Sequence, residues 1–226
     1  MENNVRLSAA DGHEFGAYRA DPSAEVRGAV VVLQEIFGVN PYIRGVCDRL
    51  AAQGYVAIAP ALFDRQVRDF ETGYTPEDVE KARGVMLELD WSAVLLDIEA
   101  AAVAVQDAGP VAVIGFCMGG SLAFLGATRL DRFSAAVCYY GRRIVEFADE
   151  TPRVPTLMHF GEQDATIPLS DVEQVRQQRS DCEIHLYPAG HGFDCDQRGA
   201  YEPESARLAW QRTLDWLDSA FVAAAV

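Results

Sequence analysis

The chain has 226 residues, half of them hydrophobic, and a formal net charge of −15. That length suffices for one packed α/β core without partition. The acidic balance disfavours nucleic acid and anionic membrane surfaces as partners, and favours no acidic substrate unless arginines gather locally. The five cysteines, Cys47, Cys117, Cys138, Cys182 and Cys195, are odd in number and lack CxxC spacing. With no secretory character in Met1-Glu2-Asn3-Asn4, a reduced, cytoplasmic protein with free thiols is expected. No apolar run reaches the length of a bilayer crossing, and no repeat, linker or change of composition divides the chain. A single domain over residues 1–226 is the expectation.

In chain order, residues 5–8 and 14–19 read as antiparallel strands flanking the turn dipeptide Asp11-Gly12. Gly28-Ala29-Val30-Val31-Val32-Leu33 is a continuous apolar run, the mark of a strand buried on both faces. A helix over 41–53 closes at Gly54, and another buried strand covers 55–59. Residues 61–75 are polar and irregular. Pro76 then opens a helix to about residue 89, and a second helix runs from 91 to 107.

Val111-Ala112-Val113-Ile114-Gly115-Phe116-Cys117-Met118-Gly119-Gly120 is a strand ending in Gly-x-Cys-x-Gly, followed by a helix-forming stretch at 121–125. Such a turn is the nucleophile elbow of the α/β-hydrolase fold, with sulfur in place of the usual hydroxyl. It aims the side chain at a helix N-terminus, where negative charge is favoured. Taken alone, the pattern also fits a buried cysteine after an ordinary glycine turn. Strands at 135–140, 156–160 and 183–187 follow, with helices at 169–179 and 204–221. This alternation predicts an α/β fold, a three-layer αβα sandwich with a mostly parallel central sheet and its active site at the carboxyl ends of the strands.

Gly161-Glu162-Gln163-Asp164 comes directly after the strand at 156–160, where hydrolases of this fold place the acid. Asp164 is better placed than Glu162 or Asp171, although a turn aspartate is equally a solvated residue. His191, between glycines in Ala189-Gly190-His191-Gly192-Phe193, follows the strand at 183–187 and is the candidate base. His159 lies in an apolar strand and reads as a packed core residue. His13 and His185 lack a catalytic context. The order Cys117, Asp164, His191 is nucleophile, acid, base, as in the fold. The loop Gln34-Glu35-Ile36-Phe37-Gly38-Val39-Asn40 places a carboxylate among apolar neighbours, and burial there would raise its pKa.

That loop, Gly115-Phe116-Cys117-Met118-Gly119-Gly120, Tyr139-Tyr140-Gly141, Gly161-Glu162-Gln163-Asp164 and Ala189-Gly190-His191-Gly192-Phe193 together resemble the dienelactone hydrolase (carboxymethylenebutenolidase) family, over nearly the whole chain. The resemblance implies Cys117 as nucleophile, His191 as base and Asp164 as its orienter. It gives the backbone N–H groups of Ile36 and Met118 to an oxyanion hole, and assigns Glu35 to the control of the thiol. It also implies no cofactor, a small ester or lactone as partner, and a monomer; no metal is expected, because the histidines lack the spacing of a ligand cluster. Two positions depart from the family. Where it holds the substrate's carboxylate with arginines, this chain has Val79 and Cys195, with Arg83 and Arg198 nearby as substitutes. Phe37, Phe63, Tyr139 and Tyr140 are the expected pocket lining, although aromatics at such positions are equally core residues. Two other readings stay open: a hydrolase of a different, carboxylate-free ester or lactone, and a hydrolase-fold thiol sensor with little catalysis.

Overall fold

The computed structural model describes residues 4–224, which divide into two compact units, one up to Val111 and the other from Ala112 onward. The first unit opens with the antiparallel pair β1 (Asn4–Ser8) and β2 (Glu14–Ala20), in the register Leu7 to Phe15. β2 also pairs antiparallel with β4 (Tyr55–Pro60), and β4 pairs parallel with β3 (Gly28–Leu33). Every residue of β3 and β4 is buried, as continuous apolar runs predict, whereas β1 alternates between exposed and half-buried. Helix α1 (Pro41–Ala52) starts at Asn40, whose side chain accepts the N–H of Ile43. Helix α2 (Pro76–Leu87) starts in a capping box between Thr75 and Asp78.

Helix α3 is shorter than the sequence suggests. It spans Trp91–Val103, and a separate 3-10 turn covers Gln106–Ala108. The apolar, alanine-rich stretch gives no stop signal at 104, and the break is visible only in the backbone.

The irregular segment 61–75 is anchored by a buried ion pair. Arg65 grips Asp97 of α3 with two hydrogen bonds of 2.8 and 2.7 Å, and reaches Asp11 in the β1–β2 turn at 2.8 Å. Asp97 is fully buried, and burial pushes its carboxyl up while Arg65 opposes that. Breaking one partner of such a pair strands a charge away from water. Arg65→Met is therefore expected to destabilise the protein by about 3–5 kcal/mol, read from its denaturant midpoint.

The second unit holds four parallel strands in sequence order, β5 (Val111–Phe116), β6 (Ala135–Tyr139), β7 (Thr156–Gly161) and β8 (Glu183–Tyr187). Between and after them come α4 (Met118–Arg129), α5 (Leu169–Gln178) and α6 (Pro203–Ala224), with a 3-10 stretch at Arg142–Phe147. α6 packs on β6 and β7. The described residues thus form a mixed α/β fold of eight strands, mostly parallel. Among the described residues, no helix is long and apolar enough to cross a membrane.

A polar chain is sealed between β6, β7, β8 and α6. Arg212 donates to the Tyr187 hydroxyl (3.0 Å), which lies 2.8 Å from His159 Nδ1. His159 Nε2 is 3.1 Å from Thr213 Oγ1, itself 2.7 Å from the Tyr139 hydroxyl. Burial drives the His159 imidazole well below its ordinary pKa, so the ring is neutral. With Tyr187 donating to Nδ1, Nε2 carries the proton and donates to Thr213. His159 is thus a satisfied core histidine, as its apolar strand predicts. Tyr139, expected at a pocket wall, is fully buried with its hydroxyl committed to Thr213, and we reassign it to the core.

Candidate active site

The site grows out of the turn after β5. Cys117 stands at φ 56°, ψ −113°, a conformation that costs a residue with a β-carbon about 1–3 kcal/mol. Its N–H is bonded to the carbonyl of Tyr139 (3.0 Å), which fixes the turn against β6. A β-carbon on Gly115 would stand 1.9 Å from the Gly119 carbonyl oxygen, and one on Gly120 would stand 2.4 Å from that of Tyr139. The glycines are what let strand, turn and helix approach so closely. Met118 is the first residue of α4, where the leading N–H groups have no partner within the helix.

Asp164 and His191 arrive on two loops that run side by side. Gly161 ends β7, and a β-carbon there would stand 2.3 Å from the Ala189 carbonyl oxygen. Two backbone bonds tie the loops together, Glu162 N–H to the Tyr187 carbonyl (2.8 Å) and Gln163 N–H to that of Ala189 (3.0 Å). The imidazole is placed as a result. His191 Nε2 lies 3.1 Å from Cys117 Sγ, and Nδ1 lies 2.7 Å from Asp164 Oδ2. A carboxylate only accepts, so Nδ1 carries the hydrogen and Nε2 faces the sulfur.

The electrostatics follow from that line of groups. Burial works against a charged His191, but the Cys117 sulfur and the Asp164 carboxylate outweigh it and hold its pKa up at about 10. Burial likewise works against the Asp164 carboxylate, whose side chain is fully enclosed. The His191 imidazole and the donors of Thr166 prevail and keep it below its ordinary range. Tyr140 sets its ring edge-to-face against the imidazole at 5.1 Å, from a backbone position with φ 38°. Two strained residues, Cys117 and Tyr140, thus adjoin the same imidazole.

The other expected site residues divide between the units. In the second, Arg198 lays its guanidinium on the His191 loop, with Nη1 2.5 Å from where a β-carbon of Gly192 would stand. Cys195 is buried. In the first unit, Glu35 is fully buried and accepts a hydrogen bond from the Tyr74 hydroxyl (3.3 Å), which in turn accepts from Asn40 (2.8 Å). Ile36 is buried, Phe37 packs edge-on against Tyr74, and Phe63 packs edge-on against Phe70. Arg83 is exposed on α2, and Val79 is half-buried. A recess of about 950 Å³ in this unit is lined by Tyr18, Arg44, Asp48 and Glu71 among others. Within it, Tyr18 pairs with Asp48 and Arg44 with Glu71.

Sequence reasoning missed Thr166, whose hydroxyl touches both Asp164 and His191. Its signal was the spacing Asp164-Ala165-Thr166, which invites a turn in which the carboxylate accepts the N–H two residues on.

A thiol, an imidazole and a carboxylate joined in one line, each beyond the carboxyl end of a parallel strand, define an α/β-hydrolase. The chain belongs to the dienelactone hydrolase family, whose sequence profile matches residues 15–221, and is with it a carboxylic ester hydrolase. It is 33% identical over 232 residues to the carboxymethylenebutenolidase of Pseudomonas putida, covering 96% of each chain. A relative from Synechocystis, provisionally named carboxymethylenebutenolidase, is 40% identical over 220 residues, 88% of this chain and 89% of that one. A crystal structure from Klebsiella pneumoniae, provisionally described as a dienelactone hydrolase, superposes with a TM-score of 0.81 at 32% identity, covering 94% of this chain and 98% of that chain.

Proposed function

We propose that this hydrolase cleaves activated esters or enol lactones of the dienelactone type through a thioester on Cys117. The observation that carries the proposal is the 3.1 Å contact of His191 Nε2 with Cys117 Sγ, backed by Asp164 on Nδ1. The sulfur attacks the carbonyl carbon, and the oxyanion that forms is met by the N–H of Met118 at the head of α4. The leaving oxygen departs with a proton from His191. Water then attacks the thioester with His191 as base, and the acid product leaves. Family resemblance adds the N–H of Ile36 to the oxyanion and gives Glu35 the control of the thiol's proton.

Sulfur narrows the substrates. A thiolate leaves a tetrahedral intermediate more readily than an alkoxide, so collapse goes forward only when the substrate's own leaving group is good. Enol lactones and aryl esters meet that condition; simple alkyl esters and amides do not. Family resemblance sets arginines on a carboxylate of the substrate, and Arg198 on the His191 loop and the exposed Arg83 are the candidates for that role here. The test is steady-state kinetics on enol and aryl esters with and without a carboxylate, on alkyl esters, and on an Arg198→Met variant. Carboxylated aryl esters are expected to exceed neutral ones by about tenfold in kcat/KM, and Arg198→Met is expected to erase that margin. Equal turnover of carboxylated and neutral substrates would favour the carboxylate-free reading. Turnover of none of them would favour the thiol sensor.

A further inference from the structure

The acid of this site is held by more than its base. Asp164 Oδ1 accepts the N–H of Thr166 (2.8 Å), the hydroxyl of Thr166 (2.7 Å) and the N–H of Ile167 (3.2 Å), which leaves Oδ2 to His191. The same Thr166 Oγ1 lies 3.2 Å from His191 Nδ1. A hydroxyl has one hydrogen and two lone pairs. Once that hydrogen is given to Oδ1, only lone pairs are left toward the imidazole. The Nδ1–H therefore faces two acceptors, Asp164 Oδ2 and Thr166 Oγ1.

We propose that Thr166 is a positioning residue of the catalytic line: its hydroxyl stops the Asp164 carboxylate from rotating and offers the Nδ1–H of His191 a second acceptor when the ring turns from the sulfur to the hydrolytic water. The proposal rests on the thioester reading. In deacylation the water oxygen bonds the acyl carbon, the C–S bond breaks, and the water's proton passes to Nε2 while sulfur leaves as thiolate. That step needs the ring away from the sulfur with Nδ1 still protonated. Thr166 Oγ1 supports both, because it can only accept from Nδ1 while it donates to Oδ1. Acylation starts with the ring already on the sulfur at 3.1 Å and depends less on the second acceptor. The donors of Thr166 also help to keep the Asp164 carboxylate ionised.

Thr166→Val keeps the shape and the backbone N–H but removes the hydroxyl, and Thr166→Ser keeps it. Thr166 is exposed, so neither change threatens the core. The experiment measures acylation and deacylation rates separately with an activated aryl ester, follows the acyl-enzyme by intact mass, and records the melting temperature. Thr166→Val is expected to slow deacylation about tenfold and acylation about twofold, so that acyl-enzyme accumulates. The melting temperature is expected to stay put, and Thr166→Ser to restore deacylation to within about twofold. A merely structural role would lower the melting temperature and slow both steps alike. Wild-type deacylation in Thr166→Val, or failure of Thr166→Ser to restore it, overturns the proposal. An acyl group found elsewhere than on Cys117, or a fully active Cys117→Ala protein, overturns the thioester reading itself, and the two failures are told apart by where the acyl mass sits.

Discussion

Cys117→Ala is expected to lose at least about a thousandfold in kcat/KM on an activated aryl ester, with its melting temperature close to that of the parent. Alanine keeps the β-carbon and hence the same strained backbone at φ 56°, so the fold has little reason to respond. What disappears is the sulfur placed 3.1 Å from His191 Nε2. Residual turnover would come from ester binding and the orphan N–H groups at the head of α4. A second readout is independent of rate. Acid-quenched parent enzyme carries one acyl mass, mapped to the peptide that contains Cys117, and the alanine protein carries none. Undiminished turnover by Cys117→Ala would sink both the nucleophile and the substrate argument built on sulfur.

Asp164→Asn is expected to cost up to about ten-thousandfold in kcat, the loss that follows when a triad's base is held in the wrong tautomer. The asparagine side chain can turn its NH2 group toward Nδ1, which must then accept and surrender its hydrogen to Nε2, facing the sulfur. The pH profile carries the sign. In the parent, the imidazole keeps its proton until about pH 10, because the sulfur and the carboxylate together outweigh burial. The alkaline limb of kcat/KM therefore lies near pH 10, and it moves to lower pH once the carboxylate is gone. The depressed carboxyl has a stability signature as well. Its contribution is present above the ordinary carboxyl pKa, about 3.9, and is lost as pH falls through the lower value it has in the fold. Asp164→Asn should flatten that acid limb of the stability curve. An unmoved alkaline limb in a folded, residually active variant would remove Asp164 from the acid's role.

Much of this was legible in the chain because the relevant physics is local. A continuous apolar run announces a strand buried on both faces, and β3, β4 and β5 are buried at every residue. Gly-x-Cys-x-Gly announces a turn that no larger residue fits, and Gly115 has 1.9 Å where a β-carbon would need more than 3 Å. Asp164 and His191 could be singled out because each follows a strand, and the structure brings both into line with Cys117. The unread parts are set by contacts remote in sequence. Thr166 looks like one more turn threonine until His191, 25 residues on, is placed against its hydroxyl. Tyr139 and Tyr140 are adjacent and alike on paper, yet one hydroxyl is bonded into the core by Thr213 while the other ring lies on the imidazole. The end of α3 escaped because its sequence goes on suiting a helix after the backbone has stopped being one.

The pairing of the loops after β7 and β8 bears on how such a site can be altered. With Gly161 against Ala189, and Glu162 and Gln163 bonded to the chain at 187 and 189, neither loop has a conformation of its own. They behave as one two-stranded part. Grafting His191 and its glycines into another scaffold, or lengthening the Asp164 loop, is expected to succeed only when the other loop travels with it.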